Sequence, residues 1–130
     1  MKRPTVLRIA FAAAVLVQFW ALYVPRAPGV PTGLPLDKLV HLTLFAVVTY
    51  LGLRAGMPVR WLAPLTVLQA AASELVQHFY LPQRGGDWWD FAADLAGIAV
   101  AVWWGRGRTH TGSGPTGRPT SASRQRSAVQ

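Results

Sequence analysis

A chain of 130 residues has room for one domain, and its 14% charged content falls well below the roughly 25% of soluble domains while 52% of it is apolar, a membrane composition. Thirteen basic residues against five acidic ones give a formal charge of +8, which in a soluble protein points to nucleic acid. Here the bases fall at the termini and between apolar runs, so membrane orientation accounts for them and nucleic acid is not expected as a partner. The absence of cysteine excludes a disulfide framework, a thiolate nucleophile and a Cys-based zinc site.

The basic start, with Lys2, Arg3 and Arg8, leads into an apolar run from Ile9 to Val24 broken only by Gln18. With Val6 and Leu7 it approaches the ~20 residues that cross a bilayer core. A cleaved signal peptide is the rival reading, but Pro25, Arg26 and Pro28 occupy the place of a small-residue cleavage site, which favours an uncleaved first helix. Residues 25–36 carry four prolines and two glycines and read as an exposed loop. The next apolar run, Leu39–Leu53, extends through Asp37, Lys38 and Arg54 to a helix of roughly 27 Å.

A short link with Gly56 and Pro58 follows, and Trp61–Leu81 reads as a third helix with Pro64 tolerated in its first turn. Its run of Ala70, Ala71, Ala72 and Ser73 allows close helix packing. The turn 82–86 leads into a fourth helix, Trp88–Trp104, and beyond Gly105 the Gly, Ser, Thr, Pro and Arg sequence has no periodicity and is expected to be disordered. The spacing thus predicts an all-α membrane protein, a bundle of four transmembrane helices at about 6–24, 37–54, 61–81 and 88–104, with a basic C-terminal tail.

Charge and aromatic placement orient this bundle. With the N-terminus inside, the inner segments hold Lys2, Arg3, Arg8, Arg54, Arg60 and the tail arginines, against Arg26, Lys38 and Arg84 outside, so both termini are expected in the cytoplasm of a multi-pass plasma-membrane protein. The Trp88/Trp89 and Trp103/Trp104 pairs lie about 22 Å apart along a helix, an interface-to-interface distance for a short span.

On this topology every carboxylate falls at the outer end. Asp37 and His41 share one face of the second helix, Glu74 lies one turn from Gln77 and His78 on the third, and Asp90 lies one turn from Asp94 on the fourth. An ionised carboxylate near the bilayer centre costs ~3 kcal/mol, and such groups are paired, protonated or functional. Gly97 and Ala101 continue the stripe of the fourth helix with small residues, which points the carboxylates into the bundle. Arg84, in the turn between Glu74 and Asp90, is the expected counter-charge; Asp87 is placed to cap the fourth helix, and Lys38 to reach headgroups.

The blocks Asp37-Lys38-x-x-His41, Glu74-x-x-Gln77 and Arg84-Gly-Gly-Asp-Trp-Trp-Asp90-Phe-Ala-Ala-Asp94-Leu-Ala-Gly97 resemble, in order and spacing, the motif blocks of the VanZ-like membrane protein family. The resemblance covers roughly residues 10 to 105 and implies a four-helix VanZ-like transmembrane domain over 1–105, with 106–130 as a cytoplasmic tail. It implies Asp37, Lys38, His41, Glu74, Gln77, Arg84, Asp90 and Gly97 as motif positions; the family usually has Asn where this chain has Asp94. It also implies a link to resistance to the glycopeptide antibiotic teicoplanin, through the family's founding member.

Two functions from different classes fit these residues. The first is a binding protein whose outward pocket of Asp37, Lys38, His41, Glu74, Gln77, Arg84, Asp90 and Asp94 recognises a cell-envelope lipid or a peptidoglycan precursor. The alternative is an intramembrane enzyme with His41, Glu74 and Asp90 as acid/base candidates on a lipid-linked envelope substrate. No nucleophile motif and no glycine-rich phosphate loop supports catalysis, so a non-enzymatic role is preferred. His41, Glu74 and Asp90 are residue types that could hold a metal, but they come from three helices whose relative placement spacing cannot test, and no metal or cofactor is assigned. A transporter is disfavoured because no internal repeat is visible in four short helices.

Overall fold

The computed structural model describes residues 3–25, 35–81 and 87–107. Among these residues there is no strand, and four helices account for nearly all of them: α1 (Arg3–Tyr23), α2 (Pro35–Arg54), α3 (Val59–Tyr80) and α4 (Trp88–Gly107). The helix count and order match the expectation, and the boundaries differ for local reasons. Helix α2 begins at Pro35, inside the expected loop, because proline has a helical φ and loses nothing by lacking an N–H in a first turn. Helix α3 begins at Val59, where the carbonyl of Pro58 accepts from the amides of Trp61 (3.1 Å) and Leu62 (3.0 Å). Pro64 therefore lies in the second turn rather than the first, and the carbonyl it deprives of a donor belongs to exposed Arg60. Helix α4 continues past Trp104 to Gly107, taking Arg106 from the expected tail; residues beyond 107 lie outside the described part of the chain.

The α2–α3 link is fixed by its own hydrogen bonds. Gly56 adopts φ 96°, its amide donates to Leu53 O (3.1 Å), and the Met57 amide donates to Gly52 O (3.0 Å). This is the Schellman arrangement, whose left-handed residue is costly for any side chain but glycine.

Lateral contacts set the directions of the helices. Lys38 meets Asp90, Gly97 lies against Leu42 and Gly105 against Leu53, so α2 and α4 run side by side in the same direction. Gln18 meets Gln69 and Leu22 meets Gln77, so α1 and α3 are parallel too, while Gly52 of α2 lies against Phe11 and Leu62. The bundle is therefore up-down-up-down, with α2 and α4 in the most extensive contact. Gly97 is the reason: a Cβ there would collide with the carbonyl oxygen of Leu42, so the two backbones touch as the small-residue stripe predicts.

The interior joins an apolar core of Leu22, Phe45, Ala70 and Ile98 to many polar side chains, and the surface is rich in large apolar ones. Gln18, Thr49, Ser73, Gln77, Asp90 and Asp94 are buried, whereas Leu16, Leu68, Phe79, Trp88 and Trp103 are each more than 60% exposed. Two buried hydroxyls bond within their own helix, Thr66 donating to Leu62 O (3.0 Å) and Ser73 to Ala70 O (2.8 Å), while the Thr49 hydroxyl has no hydrogen-bond partner. Charge is segregated as well. Arg3, Arg8, Arg54, Arg60 and Arg106 lie toward one end of the bundle, and the chain's five carboxylates gather at the other. Helices α1 and α2 are long and apolar enough to cross a membrane.

Candidate functional site

The acidic end is assembled from α2, α3 and the start of α4. Asp87 opens α4: its Oδ1 accepts from the Asp90 amide at 2.9 Å, the side-chain cap expected of it. Burial pushes the Asp87 carboxyl up, but the Asp90 amide and the neighbouring Lys38 ammonium more than offset it, and its pKa lies below the usual aspartate value.

Lys38 does not extend toward headgroups. Its Nζ donates to Asp90 Oδ1 at 3.2 Å and to Asp87 Oδ2 at 3.4 Å, fastening the first turn of α2 to that of α4. The parallel course of the two helices makes this the shorter reach, and Asp90, 1% exposed, gains a partner that a solvated lysine would deny it. Lys38 was expected in the ligand pocket, and there its Nζ is engaged with two carboxylates.

One turn deeper, His41 Nδ1 lies 3.0 Å from Asp94 Oδ1 and 3.8 Å from Glu74 Oε1, with His41 3% and Asp94 0% exposed. His41 thus joins three helices, and Asp94 lies nearer its Nδ1 than Glu74 does. Asp37 is also buried and close, its carboxylate falling within 4.8 Å of ligand atoms on His41 and Asp90. Glu74 has neither carboxylate oxygen hydrogen-bonded, although both are buried, and Asp94 Oδ2 is in the same state.

Gln77, another expected member of the pocket, goes elsewhere. Gln77 Nε2 donates to Leu22 O at 3.0 Å, so this amide ties α3 to α1. His78 is exposed and packs edge-on against Phe79 at 5.0 Å. Arg84 lies outside the described residues. Spacing gave no hint of the Gln69 Nε2 to Gln18 Oε1 bond (3.0 Å), although a lone glutamine in an apolar run was itself a signal that α1 has a polar partner.

Between α3 and α4 runs a groove of about 350 Å³, walled by Leu75, Trp88 and Phe91 and bordered by Glu74, His78 and Asp87. Glu74 faces both this groove and His41, which does not itself line it.

No protein-family model, curated protein or solved structure matches this chain.

The chemistry of the cluster follows from its geometry. Five carboxylates surround one lysine and one histidine, an acceptor-rich, acidic site suited to hydrogen-bond donors or cations. His41, Asp37 and Asp90, or His41, Glu74 and Asp94, bring nitrogen and oxygen ligand atoms within 4.8 Å of one another.

Proposed function

We propose that this chain is a VanZ-like integral membrane protein in which all four helices span the plasma membrane, both termini are cytoplasmic, and the acidic end faces outward to bind a cell-envelope molecule. The large apolar side chains on the outside of the bundle support the membrane reading, because exposed Leu, Phe and Trp are at home in lipid while buried Thr66, Ser73, Gln77 and Asp90 find partners inside. The arginines gathered at the opposite end support the orientation.

The α3–α4 groove carries the binding reading. Its walls are apolar, and it ends on Glu74, whose two buried oxygens have no hydrogen-bond partner. An amphiphile with an acyl or prenyl tail and a donor-rich head satisfies both features, the tail along Leu75, Trp88 and Phe91 and head hydroxyls or amides at Glu74. Lipid-linked glycan precursors are of this class, and sequestering or presenting one is how the protein would bear on teicoplanin-type resistance. Binding is favoured over catalysis because His41, the acid/base candidate, is set behind Glu74.

The test uses purified wild type, Glu74→Ala and His41→Ala in detergent with labelled lipid-linked glycan precursor. Wild type is expected to bind without turnover, and Glu74→Ala to weaken binding at least tenfold. Folded Glu74→Ala protein that binds like wild type would sink the reading; turnover by wild type that is lost in both variants would replace it with the acid/base enzyme.

A further inference from the structure

We infer that His41, Glu74 and Asp94 form a binding site for a divalent transition-metal ion of the zinc type. The three side chains come from α2, α3 and α4, and a carboxylate–imidazole–carboxylate set is one that borderline cations take. Distances agree with one ion between them. A tetrahedral centre with ~2.1 Å bonds holds its ligand atoms roughly 3.4 Å apart. The observed separations from His41 Nδ1, 3.0 Å to Asp94 Oδ1 and 3.8 Å to Glu74 Oε1, bracket that edge, and all three ligand atoms lie within 4.8 Å of one another.

The independent observation is an unspent acceptor in a dry place. Asp94 is wholly buried, and its Oδ2 has no partner; both oxygens of Glu74, equally shut off from solvent, have none. A structural histidine pin explains one Asp94 oxygen and leaves these three unexplained, at a cost of ~1–3 kcal/mol for each buried unsatisfied group. A divalent ion held by Glu74 Oε1 and Asp94 Oδ1 gives the first of these a partner and offsets the negative charge around the other two unpartnered oxygens. The neighbouring set of Asp37, His41 and Asp90 is the weaker candidate, because Lys38 already neutralises Asp90.

Three protein ligands leave a tetrahedral ion one position for an exogenous oxygen. Because Glu74 also borders the groove, the ion would sit at the back of the proposed binding site, yet the inference does not depend on an envelope ligand. It is measured with metal alone.

The full-length protein, purified in detergent and stripped with chelator, is titrated with Zn²⁺ by calorimetry, and with Co²⁺ by visible absorption. One equivalent of Zn²⁺ is expected, with Co²⁺ giving ligand-field bands. Asp94→Asn is nearly isosteric and should weaken binding at least tenfold, as should Glu74→Gln, while His110→Ala, in the tail, retains the full equivalent. Wild type that takes up no stoichiometric metal and shows no Co²⁺ bands would overturn the site, as would Zn²⁺ uptake that survives Asp94→Asn and Glu74→Gln but disappears in His110→Ala. Lipid binding that persists after chelation, with metal binding intact in the lipid-free protein, would leave the ion and the envelope ligand as separate properties.

Discussion

Asp87 combines two roles in one carboxylate: Oδ1 caps α4 and Oδ2 accepts from Lys38. Replacing it with Ala frees the Asp90 amide and removes one partner of Lys38, and the loss expected from the cap is about 1 kcal/mol. The ion pair contributes less, since the Asp87 side chain is 37% exposed and solvent screens it. Because the folded state holds the Asp87 pKa below its ordinary value, its contribution is fully present above the unfolded pKa, near ~3.9, and is lost as pH falls through the lower folded value. Thermal unfolding of wild type and Asp87→Asn in detergent should therefore show the largest gap at neutral pH and a narrowing gap below about pH 4. A gap that widens on acidification would mean that Asp87 is not held by Lys38 and the helix terminus.

Helix pairs depend on what lies where backbones meet. At Gly97 the obstacle to a larger residue is backbone: the Leu42 carbonyl oxygen in collision and the Ala46 nitrogen at 3.1 Å. At Gly105 it is Leu53 Cδ1 at 2.7 Å, the free end of a side chain that can turn away. Gly97→Ala should therefore force α2 and α4 apart and cost about 1–3 kcal/mol, whereas Gly105→Ala should fall within about 0.5 kcal/mol of wild type. Tryptophan fluorescence during thermal unfolding compares the two; equal stability would mean that α2 and α4 are not held by close backbone contact. The Gly97 stripe was readable in advance because small residues at helical spacing have one main use between membrane helices. So was the gathering of acids at one end, since four alternating helices bring the start of α2 and α4 to the end of α3. The partners within that cluster were not readable. Whether His41 meets Asp37, Glu74 or Asp94 depends on rotation of each helix about its axis, and tens of degrees decide it without changing the spacing. Gln77 shows the same limit: one turn from Glu74 in sequence, it is directed to the Leu22 carbonyl on α1.

At the scale of the molecule, the arrangement of polarity favours a lipid surround. Leu16, Leu68, Phe79 and Trp103 on the outside would each lose hydrophobic stabilisation in water, at ~25 cal/mol for every Å² left exposed. The buried carboxylates of α3 and α4 would be costly in lipid if they faced outward, but they face His41 and Lys38 instead. In the proposed orientation, exposed Arg54, Arg60 and Arg106 stay on the cytoplasmic side and the acidic end emerges outside. The chain has no cysteine, so single-cysteine variants report topology directly. Met57→Cys is preferred to Gly56→Cys for the α2–α3 link because a side chain at φ 96° is strained, and Gly85→Cys marks the sequence just before α4. In intact cells a membrane-impermeant maleimide should label Gly85→Cys, and Met57→Cys only after permeabilisation. The reverse pattern would invert the bundle and turn the acidic groove toward the cytoplasm, where no extracytoplasmic precursor could reach it. Equal labelling of both in intact cells would remove the barrier between the two ends, and with it the spanning bundle.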